Sequence, residues 1–220
     1  MNRNPANIRG LYAITPNVDN TEELVGMVAS AMRGGVRIVQ YRNKRAGKDI
    51  SLEQARALRD LTLSFDSLLI VNDDPNLALE IGADGVHLGK DDFADQTETA
   101  RIASIRRQAE AAENPTLLIG VSCYNDLSRA ERAVAAGASY IAFGSIFPSR
   151  TKPGAVQAGP AIVREAKRKF SLPVVAIGGI TPENAPELVA AGVDAIAVVS
   201  SLFGAENIHA QAVTFNTLFA

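Results

Sequence analysis

Apolar residues fall along the chain in short, β-branched runs: 11–15 (LYAIT), 36–42 (VRIVQYR), 67–73 (SLLIVND), 85–88 (GVHL), 117–123 (LLIGVSC), 140–145 (YIAFGS), 172–178 (LPVVAIG) and 195–200 (AIAVVS). Each has the length of a strand. Several are apolar at nearly every position, as happens when helices cover one face of a strand and other side chains bury the opposite face. A half-exposed antiparallel sheet would alternate instead. Between the runs the period becomes helical: Leu24, Val25, Val28, Ala31 and Met32 form an apolar stripe on a first long helix, whose start Asn20 or Thr21 can cap. Ser51 followed by Gln54 has capping-box spacing, Asn125 can cap a further helix, and Thr181-Pro182-Glu183 combines a cap with a proline at the first helical position. The 91–116 connection reads as a loop followed by an extended charged helix.

A repeat refines this pattern. GGVRIVQ begins at Gly34, GADGVHLG at Gly82, GASYIAFG at Gly137 and GVDAIAVV at Gly192, the last three at intervals of 55 residues (82, 137, 192). Taking Gly35 as the earlier counterpart gives a first interval of 47 residues (35, 82). Each glycine can end a helix before a short turn into a strand, and about 50 residues accommodate two βα units. The echoes therefore mark alternate strands of an eight-strand series. That favours an α/β fold of the (βα)8 TIM-barrel type over an open flavodoxin-like or Rossmann-like sheet. No low-complexity linker divides the chain, so residues 1–220 read as a single barrel domain.

Composition narrows the class of partner. Hydrophobic residues make up 47% and charged residues 21%, enough for a large core and a solvated shell. A net charge of -2 gives no general attraction to nucleic acid or to an anionic membrane, although a local basic pocket can hold a phosphorylated small molecule. Cys123 stands alone, which excludes an intrachain disulfide and a cysteine-based zinc cluster. MNRNPANIRG lacks an apolar signal core, and no later stretch stays apolar for the roughly eighteen residues of a membrane span. A cytoplasmic protein with small-molecule partners, and neither nucleic acid nor membrane, is expected; self-association stays open.

In a parallel barrel the strand ends converge on one rim. Gln40-Tyr41-Arg42-Asn43-Lys44, Asn72-Asp73-Asp74 and Lys90-Asp91-Asp92 would meet there. Arg42 and Lys44 are two apart, so strand alternation sets both on one side, within reach of an anion or else as a solvated basic edge. Gln40 and Asn72 offer neutral hydrogen bonds. Asp73 and Asp92 supply the hard oxygen ligands that a magnesium ion bridging substrate phosphates requires, whereas Asp74 and Asp91 suit helix capping. Ser149-Arg150-Thr151-Lys152-Pro153-Gly154 after the sixth run could close a phosphate-rich pocket, with Lys152 neutralising charge during bond cleavage. Backbone amides around Gly179, Val199 and Ser200 fall where barrels commonly bind a monophosphate. His87 reads as a hydrogen-bonded structural residue, His209 as structural or exposed, Cys123 as a buried thiol, and Ser122 as a binding group more than a nucleophile. No GxGxxG fingerprint, Walker loop, zincin motif or serine-hydrolase elbow is present.

Taken in order, QYRNK, VNDDPNLA, GADGVHLGKDD, GVSCYN, FGSIFPSRTKPG, AIGGI and AVVSSLF resemble the thiamine-phosphate synthase family over nearly the whole chain. The resemblance implies a barrel transferase that joins 4-amino-2-methyl-5-hydroxymethylpyrimidine diphosphate to 4-methyl-5-(2-hydroxyethyl)thiazole phosphate, releasing pyrophosphate through a dissociative, magnesium-assisted substitution. It further implies that Arg42, Lys44, Asn72 and Lys152 bind the pyrimidine diphosphate, with Gln40 nearby and Ser122 on the pyrimidine. Asp73 and Asp92 would ligate Mg2+. Ser149, Arg150, Thr151, Gly179, Val199 and Ser200 would address the thiazole phosphate. Arg42, Lys44 and Lys152 are then the catalytic cations. Against the commonest family pattern, Asn43 replaces an acid, Lys90 a glutamine, Cys123 a threonine and Ser149 the first threonine of T-x-T-K, and the 93–116 segment is longer. A TenI-like thiazole phosphate tautomerase and a noncatalytic sensor of phosphorylated metabolites are the competing readings. A tautomerase has no need of a magnesium-diphosphate site.

Overall fold

The computed structural model describes residues 8–93, 97–148 and 158–219. Eight strands appear where the apolar runs predict them: β1 Gly10–Ile14, β2 Ile38–Tyr41, β3 Leu68–Asn72, β4 Gly85–Leu88, β5 Leu118–Tyr124, β6 Tyr140–Phe143, β7 Val174–Ile177 and β8 Ala195–Val198. Each pairs in parallel with its neighbours, and β8 returns to β1 through the register Leu11↔Ile196 and Tyr12↔Ala197. Closure excludes the open-sheet alternative, and the fold is a (βα)8 TIM barrel. Among the described residues the helices are α1 Thr21–Arg33, α2 Lys48–Ser64, α3 Pro75–Glu80, α4 Glu98–Ala111, α5 Leu127–Ala135, α6 Gly159–Lys169, α7 Ala185–Ala190, α8 Ser200–Phe203 and α9 Ile208–Asn216. None of them is long and apolar enough to cross a membrane.

The near-continuous apolarity of the strands has the predicted cause. Leu11, Val39, Leu69, Val71, Val86 and Ile119 pack outward against helices, while Tyr12, Ile38, Leu68, Ile70, Leu118 and Tyr140 fill the interior. Period-two alternation is present, but both faces are buried.

The glycine echo also has a physical basis. Gly35, Gly82, Gly137 and Gly192 all have positive φ, turning the chain into β2, β4, β6 and β8. Two residues past each of the last three stands a side-chain acceptor. Asp84 Oδ2 accepts from Leu69 N at 2.8 Å and from Arg59 Nη1 at 2.7 Å. Ser139 Oγ accepts from Ile119 N at 3.0 Å and from Arg106 Nη2 at 3.2 Å. Asp194 Oδ2 accepts from Val174 N and Lys167 Nζ, both at 2.7 Å. Each thus ties the preceding strand and the helix before it at the amino-terminal end of the barrel.

Helix starts depart from expectation in three places. Asn20 does cap α1, accepting from Glu23 N. Ser51, however, lies inside α2, which begins at Lys48 after Gly47, and Gln54 is buried with its amide donating to the Val18 carbonyl at 2.8 Å. Asp126 rather than Asn125 caps α5, since the carboxylate reaches the Ser128 and Arg129 amides. Residues 182–184 form a turn, with Asn184 Oδ1 accepting from Thr181 N, and α7 starts at Ala185. The 91–116 connection holds a 3-10 turn, Asp91–Phe93, and α4, which Thr97 caps.

The interior is filled to contact. A Cβ on Gly120 would lie 2.0 Å from Tyr140 Cζ, whereas one on Gly26, exposed on α1, would meet nothing within 4 Å. Gly120→Ala is expected to lower stability by about 1–3 kcal/mol. Gly26→Ala should raise it by up to about 1 kcal/mol through helix propensity. Denaturant midpoints of the two variants check both signs, and a neutral Gly120→Ala would contradict the packing described.

Candidate active site

At the carboxyl end of β2 alternation turns Gln40 into the barrel and Tyr41 outward, where its hydroxyl donates to Gln54 Oε1 at 3.0 Å. The chain then bends sharply. Arg42 N donates to Thr15 Oγ1 at 2.8 Å, and that hydroxyl donates back to the Arg42 carbonyl at 3.0 Å. Asn43 Nδ2 donates to the Val18 carbonyl and to Gln54, while its Oδ1 accepts from the Arg45 and Ala46 amides. Asn43 therefore folds the turn that carries Arg42 and Lys44. Lys44 Nζ lies 3.6 Å from Asp73 Oδ2, both side chains being substantially exposed, so the pair adds little stability and leaves the ammonium available to an anion.

Asp73 follows β3 in the left-handed region at φ 63° and donates its amide to the His87 carbonyl at 2.8 Å. Asp92 sits in the 3-10 turn after β4, its Oδ2 accepting from Gly89 N at 2.6 Å. A methyl group on Gly89 would stand 3.6 Å from Asp92 Oδ2 and 3.8 Å from Asp73 Oδ1, so the two carboxylates face a common place. Burial pushes the Asp92 carboxyl up to about 6, the Gly89 amide opposes the rise, and the negative charge of Asp73 adds to it. Two hard oxygen donors whose mutual repulsion a cation would relieve suit a divalent ion such as magnesium. No group of three or more His, Cys, Asp or Glu side chains is arranged around a metal position among the described residues. Arg42, Lys44, Asn72 and Asp73 line one cavity of about 330 Å³. Asp74, on its edge, caps α3 by accepting from Leu77 N, as its position suggested.

Beneath the rim the barrel has a polar floor. Gln40 Nε2 donates to the Tyr12 hydroxyl at 2.9 Å, and the Tyr12 and Tyr140 hydroxyls are 2.9 Å apart. Tyr140 is 3.0 Å from His87 Nδ1, and His87 Nε2 is 2.8 Å from Ser122 Oγ. Burial keeps both phenols well above their ordinary range and drops His87 to about 4, so all three are neutral near pH 7. With Gln40 donating, Tyr12 gives its proton to Tyr140, Tyr140 to His87 Nδ1, and Nε2–H to Ser122. The Ser122 proton is then free to face a ligand. His87 is indeed hydrogen-bonded and buried, but it links two expected binding residues. Tyr12 and Tyr140 went unnoticed in the sequence, where an aromatic inside an apolar run looks like any core residue.

Arg129, on α5, likewise carries no local signal in the sequence. Its Nε donates to the Ser122 carbonyl at 2.8 Å, and its guanidinium lies over the Phe93 and Tyr124 rings at 5.1 and 5.8 Å. It braces the Asp92 turn against the end of β5. Cys123 is fully buried and its thiol is pushed up to about 12, which removes it as a nucleophile. Lys90 is exposed, its amide donating to the Tyr124 hydroxyl at 3.2 Å. His209 is exposed on α9.

Across the rim, Gly178 and Gly179 follow β7 with φ of 101° and 68°. A Cβ on Gly179 would lie 2.4 Å from the Pro148 carbonyl oxygen, so only glycine lets the two segments approach. Val199 precedes α8, which starts at Ser200 and whose first amides have no intrahelical acceptor. Ser149, Arg150, Thr151 and Lys152 lie outside the described residues.

A family model described as thiamine monophosphate synthase matches residues 11–202. A thiamine-phosphate synthase of Nitrosospira multiformis is 46% identical over 212 residues, covering 96% of this chain and 86% of that protein. One of Methylobacillus flagellatus is 47% identical over 212 residues, covering 96% of each. The solved structure of a thiamine phosphate pyrophosphorylase from Pyrococcus furiosus superposes with a TM-score of 0.83 at 34% identity, covering 98% of both chains. With a family model matched over most of the barrel, and relatives of this identity aligned nearly end to end, the chain belongs to the thiamine monophosphate synthase family.

Proposed function

We propose that this protein is a thiamine-phosphate synthase, a transferase that couples the pyrimidine diphosphate and the thiazole phosphate and releases pyrophosphate. The observation that carries the reading is the convergence of Lys44, Asp73 and Asp92 on one side of a floor that ends in Gln40 and Ser122. An aminopyrimidine presents an amino donor beside a ring-nitrogen acceptor. Gln40 keeps its carbonyl oxygen, and Ser122 its proton, for those two groups.

Arg42, Lys44 and Asn72 bind the diphosphate, joined in this reading by Lys152, and Asp73 and Asp92 hold Mg2+. When bound, the ion neutralises charge that accumulates on the departing pyrophosphate. The methylene C–O bond breaks with its electron pair passing to the diphosphate, and Arg42 and Lys44 stabilise that charge. The thiazole nitrogen then donates its lone pair to the pyrimidine methylene cation, closing the C–N bond. Ser149, Arg150, Thr151, Gly179, Val199 and Ser200 hold the thiazole phosphate so that the nitrogen faces the methylene. No protein nucleophile is required, in accord with the inert Cys123. Residues 1–220 act as one barrel domain, and a cytoplasmic setting agrees with phosphorylated substrates and a lone, buried thiol.

Mass-spectrometric detection of thiamine phosphate after incubation with both substrates and Mg2+, with each omitted in turn, tests the activity. Product that needs both substrates and falls sharply without Mg2+ is expected. Absence of product from folded protein, with isomerisation of the thiazole phosphate, would assign a tautomerase instead. Asp73→Ala and Asp92→Ala should each lower magnesium-dependent coupling roughly a hundredfold or more. Their unfolding midpoints should change little, because relief of the carboxylate repulsion offsets the lost Gly89–Asp92 hydrogen bond in one variant and the exposed Lys44–Asp73 pair in the other. Loss of fold with residual chemistry unchanged would count against the metal assignment. Tyr140→Phe interrupts the floor: the KM for the pyrimidine diphosphate should rise about tenfold and that for the thiazole phosphate should not. Equal changes in both constants would argue against a pyrimidine-specific floor.

A further inference from the structure

Tyr124 is unusual in three independent respects. It is a bulky residue held at φ 58°, in the left-handed region that aromatic side chains rarely enter. The residue is 40% exposed although it stands at the end of a buried strand. The position is nevertheless well defined, because the Arg129 guanidinium lies 5.8 Å from the ring centroid and the Lys90 amide donates to its oxygen. That hydroxyl accepts one hydrogen bond and, among the described residues, gives its own proton to no acceptor.

The direction in which the phenol points supplies the reason. A methyl group on Gly89 would lie 4.0 Å from Tyr124 Oη, and it is the same position that approaches Asp92 Oδ2 and Asp73 Oδ1 at 3.6 and 3.8 Å. Three oxygens, from the segments that follow β3 and β4 and from the end of β5, therefore lie within 4.0 Å of one point at the rim. Two are carboxylates that can only accept; the third carries the one proton available for donation. A bulge between Ser122 and Tyr124 in the pairing of β5 with β6 re-aims this side chain.

We infer that Tyr124 is a further catalytic residue, whose phenol O–H donates a hydrogen bond to an oxygen of the diphosphate held at Asp73 and Asp92. The inference rests on the synthase reading above. Charge gathers on the diphosphate as the methylene C–O bond breaks, so the bond strengthens toward the transition state and no proton is transferred. Tyr124 works there as a neutral donor, where another cation would compete with the metal for the acids.

Tyr124→Phe removes the hydroxyl and keeps the ring against Arg129. Titration calorimetry of inorganic pyrophosphate into the protein with Mg2+ present should show affinity reduced roughly ten- to hundredfold, the value of one hydrogen bond to a charged group. Coupling should slow by a similar factor with the KM for thiazole phosphate unchanged. Wild-type pyrophosphate affinity in the variant would overturn the inference. So would a parallel rise in both Michaelis constants, which would make Tyr124 a loop brace acting through Lys90. If the wild-type protein itself binds magnesium pyrophosphate yet forms no thiamine phosphate, the synthase reading fails while the binding comparison still decides the role of Tyr124.

Discussion

Closure of the parallel sheet, with β8 pairing back to β1, is the constraint from which the rest of the molecule follows. It gathers all eight carboxyl ends on one rim, so residues as distant in the chain as Gln40, Asp92 and Ser200 come to the same end of the barrel. It also creates an interior that only side chains can fill. Tyr12 and Tyr140 fill it, and Gly120 supplies the room that the second ring needs. Two phenols brought out of water need partners. Gln40 and His87 provide them, and in doing so extend the row to Ser122. The polar floor is thus a consequence of packing before any ligand is considered.

The two ends of the barrel divide the work. At the amino end, Asp84, Ser139 and Asp194 each accept from a strand amide and from a helix cation, so the Arg59, Arg106 and Lys167 side chains there have partners within the fold. At the carboxyl end Lys44, Asp73 and Asp92 are only partly matched, and Asp92 lies well above the usual carboxylate range. Such imbalance costs stability and is retained where a charged ligand can complete it.

How much was legible in the sequence depended on whether a signal was local. Strands were legible because burial on both faces leaves unbroken apolar runs, and alternate strands because each needs a glycine of positive φ before it. Caps were less so: Ser51 and Gln54 have the right spacing, yet Gln54 serves Tyr41, Asn43 and Val18 across the fold. Asp73 and Asp92 stood out as acids at strand ends, and the structure does bring them together beside Lys44. Tyr12, Tyr140 and Arg129 did not stand out, because what distinguishes them is the partner each meets, 128 residues away in the case of the two tyrosines. Asn43, between the two basic residues, proved to be the residue that shapes the basic turn.

The row from Gln40 to Ser122 has one more property. Each hydroxyl and the neutral imidazole has a single proton to give, so direction belongs to the row as a whole. Turning over the Gln40 amide would oblige Tyr12 to donate to it, Tyr140 to Tyr12, His87 through Nδ1 to Tyr140, and Ser122 to His87. A ring bearing an oxo group in place of the amino group could not be met by rotating one side chain. Because such a ring also carries an N–H in place of the ring-nitrogen acceptor, meeting it requires every bond in the series to invert together, with the serine proton turned inward. In the synthase reading, the choice between the two rings is then made by the row as a whole and not by a solitary amide.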